Sequence, residues 1–199
     1  PAQIIHGDAR TINPAALSTK ANFVITSPPY PNEKDYSRTT RLESVLLGYI
    51  NTKEELRNVK KNFIRSNTKN VYKDDDDFKF IEKIESISSL SRTIEERRIE
   101  LNKTSGFERL YAKVVQLYFG GMARHLINLK TVLASGAKLA YVIGDQASYF
   151  KIPIKTAELL AEVAESVGYK VDGIDNFRKR YATATDTWLN EDVLILSYL

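Results

Sequence analysis

Phe23-Val24-Ile25-Thr26-Ser27-Pro28-Pro29-Tyr30 is the stretch that decides how this chain is read. The apolar run predicts a short strand over residues 22–26. It stops in a polar residue, two prolines and an aromatic. Each proline fixes φ near −65° and removes a backbone donor, so the segment cannot continue as a central strand. At average residue usage, Ser-Pro-Pro-Tyr arises by chance in roughly one chain of this size in a thousand. The plainest explanation is a strand followed by a Pro-Pro turn and a surface tyrosine. The sharper one is a rigid wall built for a planar base.

The chemistry of a base amine favours the second. An exocyclic amine is a weak nucleophile because its lone pair is delocalised into the ring. Acceptors offered to its two hydrogens favour a pyramidal nitrogen whose lone pair can meet an activated methyl group. Positioning and charge stabilisation then carry most of the work. The candidate acceptors are the Ser27 hydroxyl and the Pro28 carbonyl. Pro29 holds Pro28 extended, and neither proline has an N–H. The Tyr30 ring offers a face to a base rotated out of its stack.

The flanks agree. Ile4-Ile5-His6-Gly7-Asp8-Ala9-Arg10 predicts a strand over residues 2–6 closing in a Gly-Asp turn, where α/β folds place ligand contacts. Ala137-Lys138-Leu139-Ala140-Tyr141-Val142-Ile143-Gly144-Asp145 is a second such run. On these motifs most of the chain resembles the S-adenosylmethionine-dependent DNA amino-methyltransferases, which modify N4 of cytosine or N6 of adenine. The resemblance implies a Rossmann-like α/β sheet of seven mostly parallel strands. It makes Ser27, Pro28, Pro29 and Tyr30 the catalytic tetrapeptide, with the Ser form favouring N4-cytosine. It assigns Asp8, with Ala9 and Thr26, to the S-adenosylmethionine cofactor. Asn32, Asp35, Tyr36, Arg38, Arg178 and Arg180 fall to the substrate side, and no metal is expected. An RNA methyltransferase and a non-catalytic nucleic-acid-binding subunit are the alternatives.

One departure is large. The family binds its cofactor on a Phe-x-Gly-x-Gly turn after its first strand, and no two of the nine glycines here are separated by one residue. The chain resembles the family from its third strand onward, which leaves five of seven strands and suggests a shortened chain or one half of a split enzyme. The strands at 2–6 and 22–26 would then flank a gap. They are expected to re-pair with each other or to need a second polypeptide that supplies the cofactor-binding strands.

Composition sets outer bounds. A chain of 199 residues with 43% apolar content can bury a sizeable core. Without cysteine there are no disulfides, zinc-thiolate sites or thiol nucleophiles. No targeting segment or membrane span is visible, so the cytoplasm is the expected compartment and DNA the expected partner. The net charge of +4 is compatible with phosphate contact but does not demand it.

Residues 1–41 and 104–199 are assigned to the catalytic core. Residues 42–103 are strand-poor and charged, and predict a helical insert that could recognise the target. Its first part carries Lys53, Arg57, Lys60, Lys61, Arg65, Lys69 and Lys73 against Glu54 and Glu55, either a solvated face or a contact to the DNA backbone. Asp74–Asp77 reads as a solvated loop. Phe107 to Leu133 predicts a long core helix in which Gly120-Gly121 marks a close helix–sheet approach or a bend, with Met122 and His125 as structural residues. A helix from Pro153 to Glu165 and strands at 169–176 and 192–198 follow. Between those strands a loop carries Arg178, Lys179, Arg180, Tyr181 and Trp188.

Overall fold

The computed structural model describes every residue except Pro1, Glu33 and Ala184. Its elements are β1 (Ala21–Thr26), α1 (Tyr36–Thr39), α2 (Arg41–Leu46), α3 (Lys53–Lys61), α4 (Glu85–Glu100), α5 (Tyr111–Leu129), β2 (Leu133–Gly144), α6 (Thr156–Ser166), β3 (Lys170–Ala182) and β4 (Thr187–Ser197). The strands form one sheet in the order β1-β2-β4-β3. β1 and β2 run parallel, while β4 runs antiparallel to both of its neighbours. The result is a mixed α/β architecture.

α5 is the axis of the core. Its stripe Val114, Leu117, Tyr118, Met122 and Leu126 is fully buried, and Ile87 and Ile94 of α4 pack beside it. Each such aliphatic side chain contributes about 1.5–3 kcal/mol on leaving water. Alternate residues of β2 and β4 (Leu139, Tyr141, Ile143, Leu194, Leu196) point into the same core. The Tyr169 hydroxyl, at the start of β3, bonds the Leu126 carbonyl at 2.8 Å and ties helix to sheet.

Gly120 permits a close approach, though to a turn and not to the sheet. A Cβ there would lie 2.1 Å from the Asp77 carbonyl oxygen. That contact brings the 77–81 turn against α5 and carries the Asp77 side chain inside.

Four sequence expectations are corrected. Residues 2–6 form no strand: Ile4 is 97% exposed, so four strands appear in place of five. β1 pairs only with β2, and its outer edge has no partner among the described residues. The expected re-pairing with 2–6 therefore does not occur. The run Asp74–Asp77 is not a solvated loop, because Asp77 is buried between Arg10 at 2.7 Å and Arg124 at 3.0 Å, and Asp75 pairs with Arg65 at 2.8 Å. Arg178, Lys179, Arg180, Tyr181 and Trp188 lie on β3 and β4 themselves, since that hairpin keeps its ladder to Ala182↔Thr187. Residues 42–103 are strand-free, and Ile64, Ile81, Ile84, Ile87 and Ile94 belong to the same core as α5.

Candidate active site

β1 delivers its last residue, Thr26, to the carboxyl end of the sheet, where α/β folds bind their ligands. The two prolines turn the chain outward, and a cavity of about 240 Å³ opens there. Ser27, Pro28, Pro29, Tyr30, Asn32 and Tyr36 are among its walls, with Lys34, Asp35 and Thr39. It is smaller than the ~300 Å³ at which pockets for drug-sized ligands begin, so it suits one ring system better than a whole nucleotide.

Each wall is fixed by a specific contact. The Tyr36 hydroxyl donates to the Ser27 carbonyl at 2.9 Å, which fixes the Ser27 backbone at the cavity. Ser27 Oγ and the Tyr30 hydroxyl lie 3.4 Å apart. Asn32 N–H bonds the Tyr30 carbonyl at 2.9 Å and closes the turn. The Tyr30 ring lies against the end of β2: a Cβ on Gly144 would sit 3.1 Å from its Cε2. Gly144 is thus the residue that lets the aromatic wall approach the sheet. Burial, together with the nearby Tyr30 phenol, pushes the Tyr36 hydroxyl pKa above its ordinary value.

Behind the cavity, Asp35 braces the loop. Its carboxylate caps α1 through Arg38 N–H at 3.1 Å and accepts from the Ser37 hydroxyl at 2.5 Å and from Asn70 Nδ2 at 3.0 Å. Lys60 Nζ stands 3.5 Å away. Burial alone would raise this carboxyl, but the Ser37 hydroxyl, the Lys60 charge and the Asn70 amide outweigh it and hold the pKa below the usual range. Asp35 borders the cavity with both carboxylate oxygens engaged, and it braces the loop. Lys60 serves this brace, and Arg65 is buried against Asp75 and the carbonyls of Lys60 and Lys61. Those two cations of the basic run face inward. Lys53, Arg57, Lys61, Lys69 and Lys73 are exposed.

Asp8 and Ala9 lie elsewhere, on a separate cavity of about 320 Å³ lined by residues from Ile5 to Leu17, His6 among them. The Asp8 carboxylate accepts Arg10 N–H at 2.8 Å, Nε at 3.1 Å and Nη2 at 2.8 Å. Burial works against its ionisation, yet the Arg10 bonds and charge keep its pKa low. With about four acceptor positions on a carboxylate, Arg10 has used most of them. His125 secures the next residue: Nδ1 bonds the Ala9 carbonyl at 2.8 Å and Nε2 the Tyr141 hydroxyl at 2.8 Å.

Arg38 has an exposed side chain outside the cavity wall. Arg178 pairs with Glu191. Arg180 donates from Nη2 to the Asp145 carbonyl at 3.0 Å and to Gln146 Oε1 at 3.2 Å, on a groove that reaches Tyr30. Gly144, Asn70, Lys34 and Gln146 were not singled out as site residues from the sequence. Only Gly144 carried a signal, as the end of an apolar run.

No family model matches this chain. It is similar to the type II methyltransferase M.AvaI of Nostoc sp. and to the protein of the same name from Anabaena variabilis, 30% identical to each over 158 residues. The match covers 76% of this chain and 31% of the relative, so the chain spans about a third of the length of the curated relatives it matches.

Proposed function

We propose that this chain supplies the target-base side of an S-adenosylmethionine-dependent DNA methyltransferase acting on an exocyclic amine, N4 of cytosine before N6 of adenine. The similarity to M.AvaI supports the general class. The observation that carries the reading is the cavity at the carboxyl end of β1, which Ser27, Pro28, Pro29, Tyr30 and Tyr36 line together.

In this proposal a base extruded from the duplex lies against Tyr30. Its amine hydrogens meet the Ser27 hydroxyl and the Pro28 carbonyl, which draws the nitrogen lone pair toward the methyl donor. Tyr36 holds the Ser27 backbone in place through the bond to its carbonyl. Once the methyl is transferred, the nitrogen sheds its extra proton to water, with Ser27 Oγ accepting the N–H hydrogen bond along that path.

The cofactor would supply an electrophilic methyl on a sulfonium. The described residues do not fit the cofactor role assigned to Asp8 and Ala9, because Arg10 occupies the Asp8 carboxylate and there is no glycine-rich turn. No step is therefore routed through Asp8. The donor side, in this proposal, comes from strands joined to the open edge of β1, in the same protein or in a second polypeptide. The four strands would form one half of a Rossmann-like sheet, and residues 42–103 would serve target recognition alongside the brace on Asp35.

The engaged Asp8 also favours a second reading, a nucleic-acid-binding subunit that keeps the base cavity without the donor. One experiment separates the two. The full-length protein is incubated with defined duplexes and methyl-labelled S-adenosylmethionine, and digested nucleosides are examined by mass spectrometry. The proposal expects N4-methylcytosine. DNA binding with no methylated base would favour the subunit.

A further inference from the structure

The cavity at Tyr30 does not end at its own rim. A second groove of about 370 Å³ shares Tyr30, Asn32 and Lys34 with it and continues to Gln146, Ser148 and Arg180. The two differ in chemistry. Beyond the residues they share, the first adds two prolines and the Tyr36 ring with Ser27, Asp35 and Thr39, and the second adds only the polar Gln146, Ser148 and Arg180.

The cations are held differently. Arg180 is half-buried and fixed: its Nη2 bonds the Asp145 carbonyl at 3.0 Å and Gln146 Oε1 at 3.2 Å, and Glu191 lies 3.8 Å from its Nε. Gln146 is fixed in turn by its Nε2, which donates a hydrogen bond to the Gly144 carbonyl at 3.2 Å. This fork is set before any ligand arrives, which lowers the ordering cost of binding. Lys34 is exposed, and its ammonium makes no hydrogen bond or ion pair to any described residue. Among the described residues that line the groove, Lys34 and Arg180 are cations and none is a carboxylate; Glu191, 3.8 Å from Arg180 Nε, is already paired with Arg178.

We propose that the groove between Lys34 and Arg180 is a phosphodiester subsite, holding the backbone of the nucleotide whose base occupies the Tyr30 cavity. This rests on the base-extrusion reading above and names the contact that reading requires. A base that leaves the duplex takes its sugar and flanking phosphates with it, and a charge that follows it needs a cation at the cavity mouth. An aromatic pocket beside a cationic groove is the arrangement that single-stranded nucleic acid favours. Lys34, exposed and without an ion pair among the described residues, closes on the phosphate, and Arg180 receives it.

The test uses the full-length protein and fluorescein-labelled duplexes in which one phosphate at a time, on either side of the target base, is replaced by a neutral methylphosphonate. One replacement is expected to weaken binding about threefold to tenfold, and Lys34→Ala to weaken binding to the unmodified duplex by the same factor. Combined, they should give no further loss. The slope of log affinity against log salt should fall by about 1 in Lys34→Ala. Losses that multiply, or a variant with unchanged affinity and slope, would overturn the subsite. Methyl transfer to the unmodified duplex is followed in parallel. Wild-type transfer with an indifferent Lys34→Ala rejects the subsite alone. A wild type that neither binds nor methylates DNA rejects the subsite together with the function on which it rests.

Discussion

The chain contains two Gly-Asp turns after apolar runs, and the fold treats them in opposite ways. Ala140-Tyr141-Val142-Ile143 leads to Gly144-Asp145 and forms part of β2, bonded to β1 on one side and β4 on the other. Ile4-Ile5-His6 leads to Gly7-Asp8 and forms no strand. The local patterns match, and the difference is neighbours. A strand needs a ladder to satisfy its backbone and a face to bury, and only the second run has both. The carboxylates differ accordingly. Asp145 accepts Thr156 N–H at 3.1 Å and Lys155 Nζ at 3.0 Å, so it caps α6 and anchors a helix to the sheet. Asp8 answers to Arg10 and secures its own turn.

Three substitutions separate the two turns, in order of decreasing effect. Arg10 joins Asp8 to the buried Asp77 and also bonds the Lys61 carbonyl at 3.0 Å. Arg10→Ala would leave Asp8 without its cation and the buried Asp77 with Arg124 alone, and urea unfolding should show a loss of about 3–5 kcal/mol. A loss below about 1 kcal/mol would mean the first turn is not an internal anchor. Asp145→Ala leaves the buried Thr156 N–H without its acceptor and is expected to cost about 1–3 kcal/mol in the same measurement. The smallest effect concerns the segment without a ladder. Ile4→Ser should change stability by no more than about 0.5 kcal/mol, because that side chain is exposed. A cost above about 1 kcal/mol in the full-length protein would show that the segment gains a partner there.

His125 sharpens the same comparison through pH. Burial lowers its pKa below 6.5, against the opposing effects of the Ala9 carbonyl bond and the Asp8 charge. The unfolded chain therefore takes up the proton first as pH falls. The stability linked to His125 is complete above about pH 6.5 and declines below it toward the lower folded pKa. Urea midpoints of the wild type and His125→Gln should converge as pH drops from 7 to 5. Parallel curves would mean that neutral His125 is not what holds the Ala9 carbonyl.

How much of this was legible in the sequence follows from range. β1, the heptad-like stripe of α5, the helix after Pro153 and the β3–β4 pairing are written in local periodicity. The cavity walls from Ser27 to Tyr36 also lie within ten residues of one another, so a motif could name them. The brace behind them could not be named that way, because Asn70 reaches Asp35 across 35 positions and Arg10 reaches Asp77 across 67. Four consecutive aspartates look solvated until the arginines that neutralise two of them are placed. Arg178 and Arg180 look like loop residues because charge and aromatics interleave there. They remain in the ladder because β4 offers a paired backbone up to Thr187. The segment 2–6 failed for the reverse reason: its apolar pattern promised a strand, and no described strand runs beside it.

The account turns on the Ser27–Tyr30 bend as the place where a base amine is held. Its most direct test is methyl transfer by the full-length protein carrying Ser27→Ala or Tyr30→Ala, each first checked for a wild-type circular dichroism spectrum. The account predicts that transfer to an otherwise good duplex falls by at least about a hundredfold in each variant, the scale seen when a preorganised charge-stabilising group is removed. Wild-type transfer rates in both folded variants would contradict it.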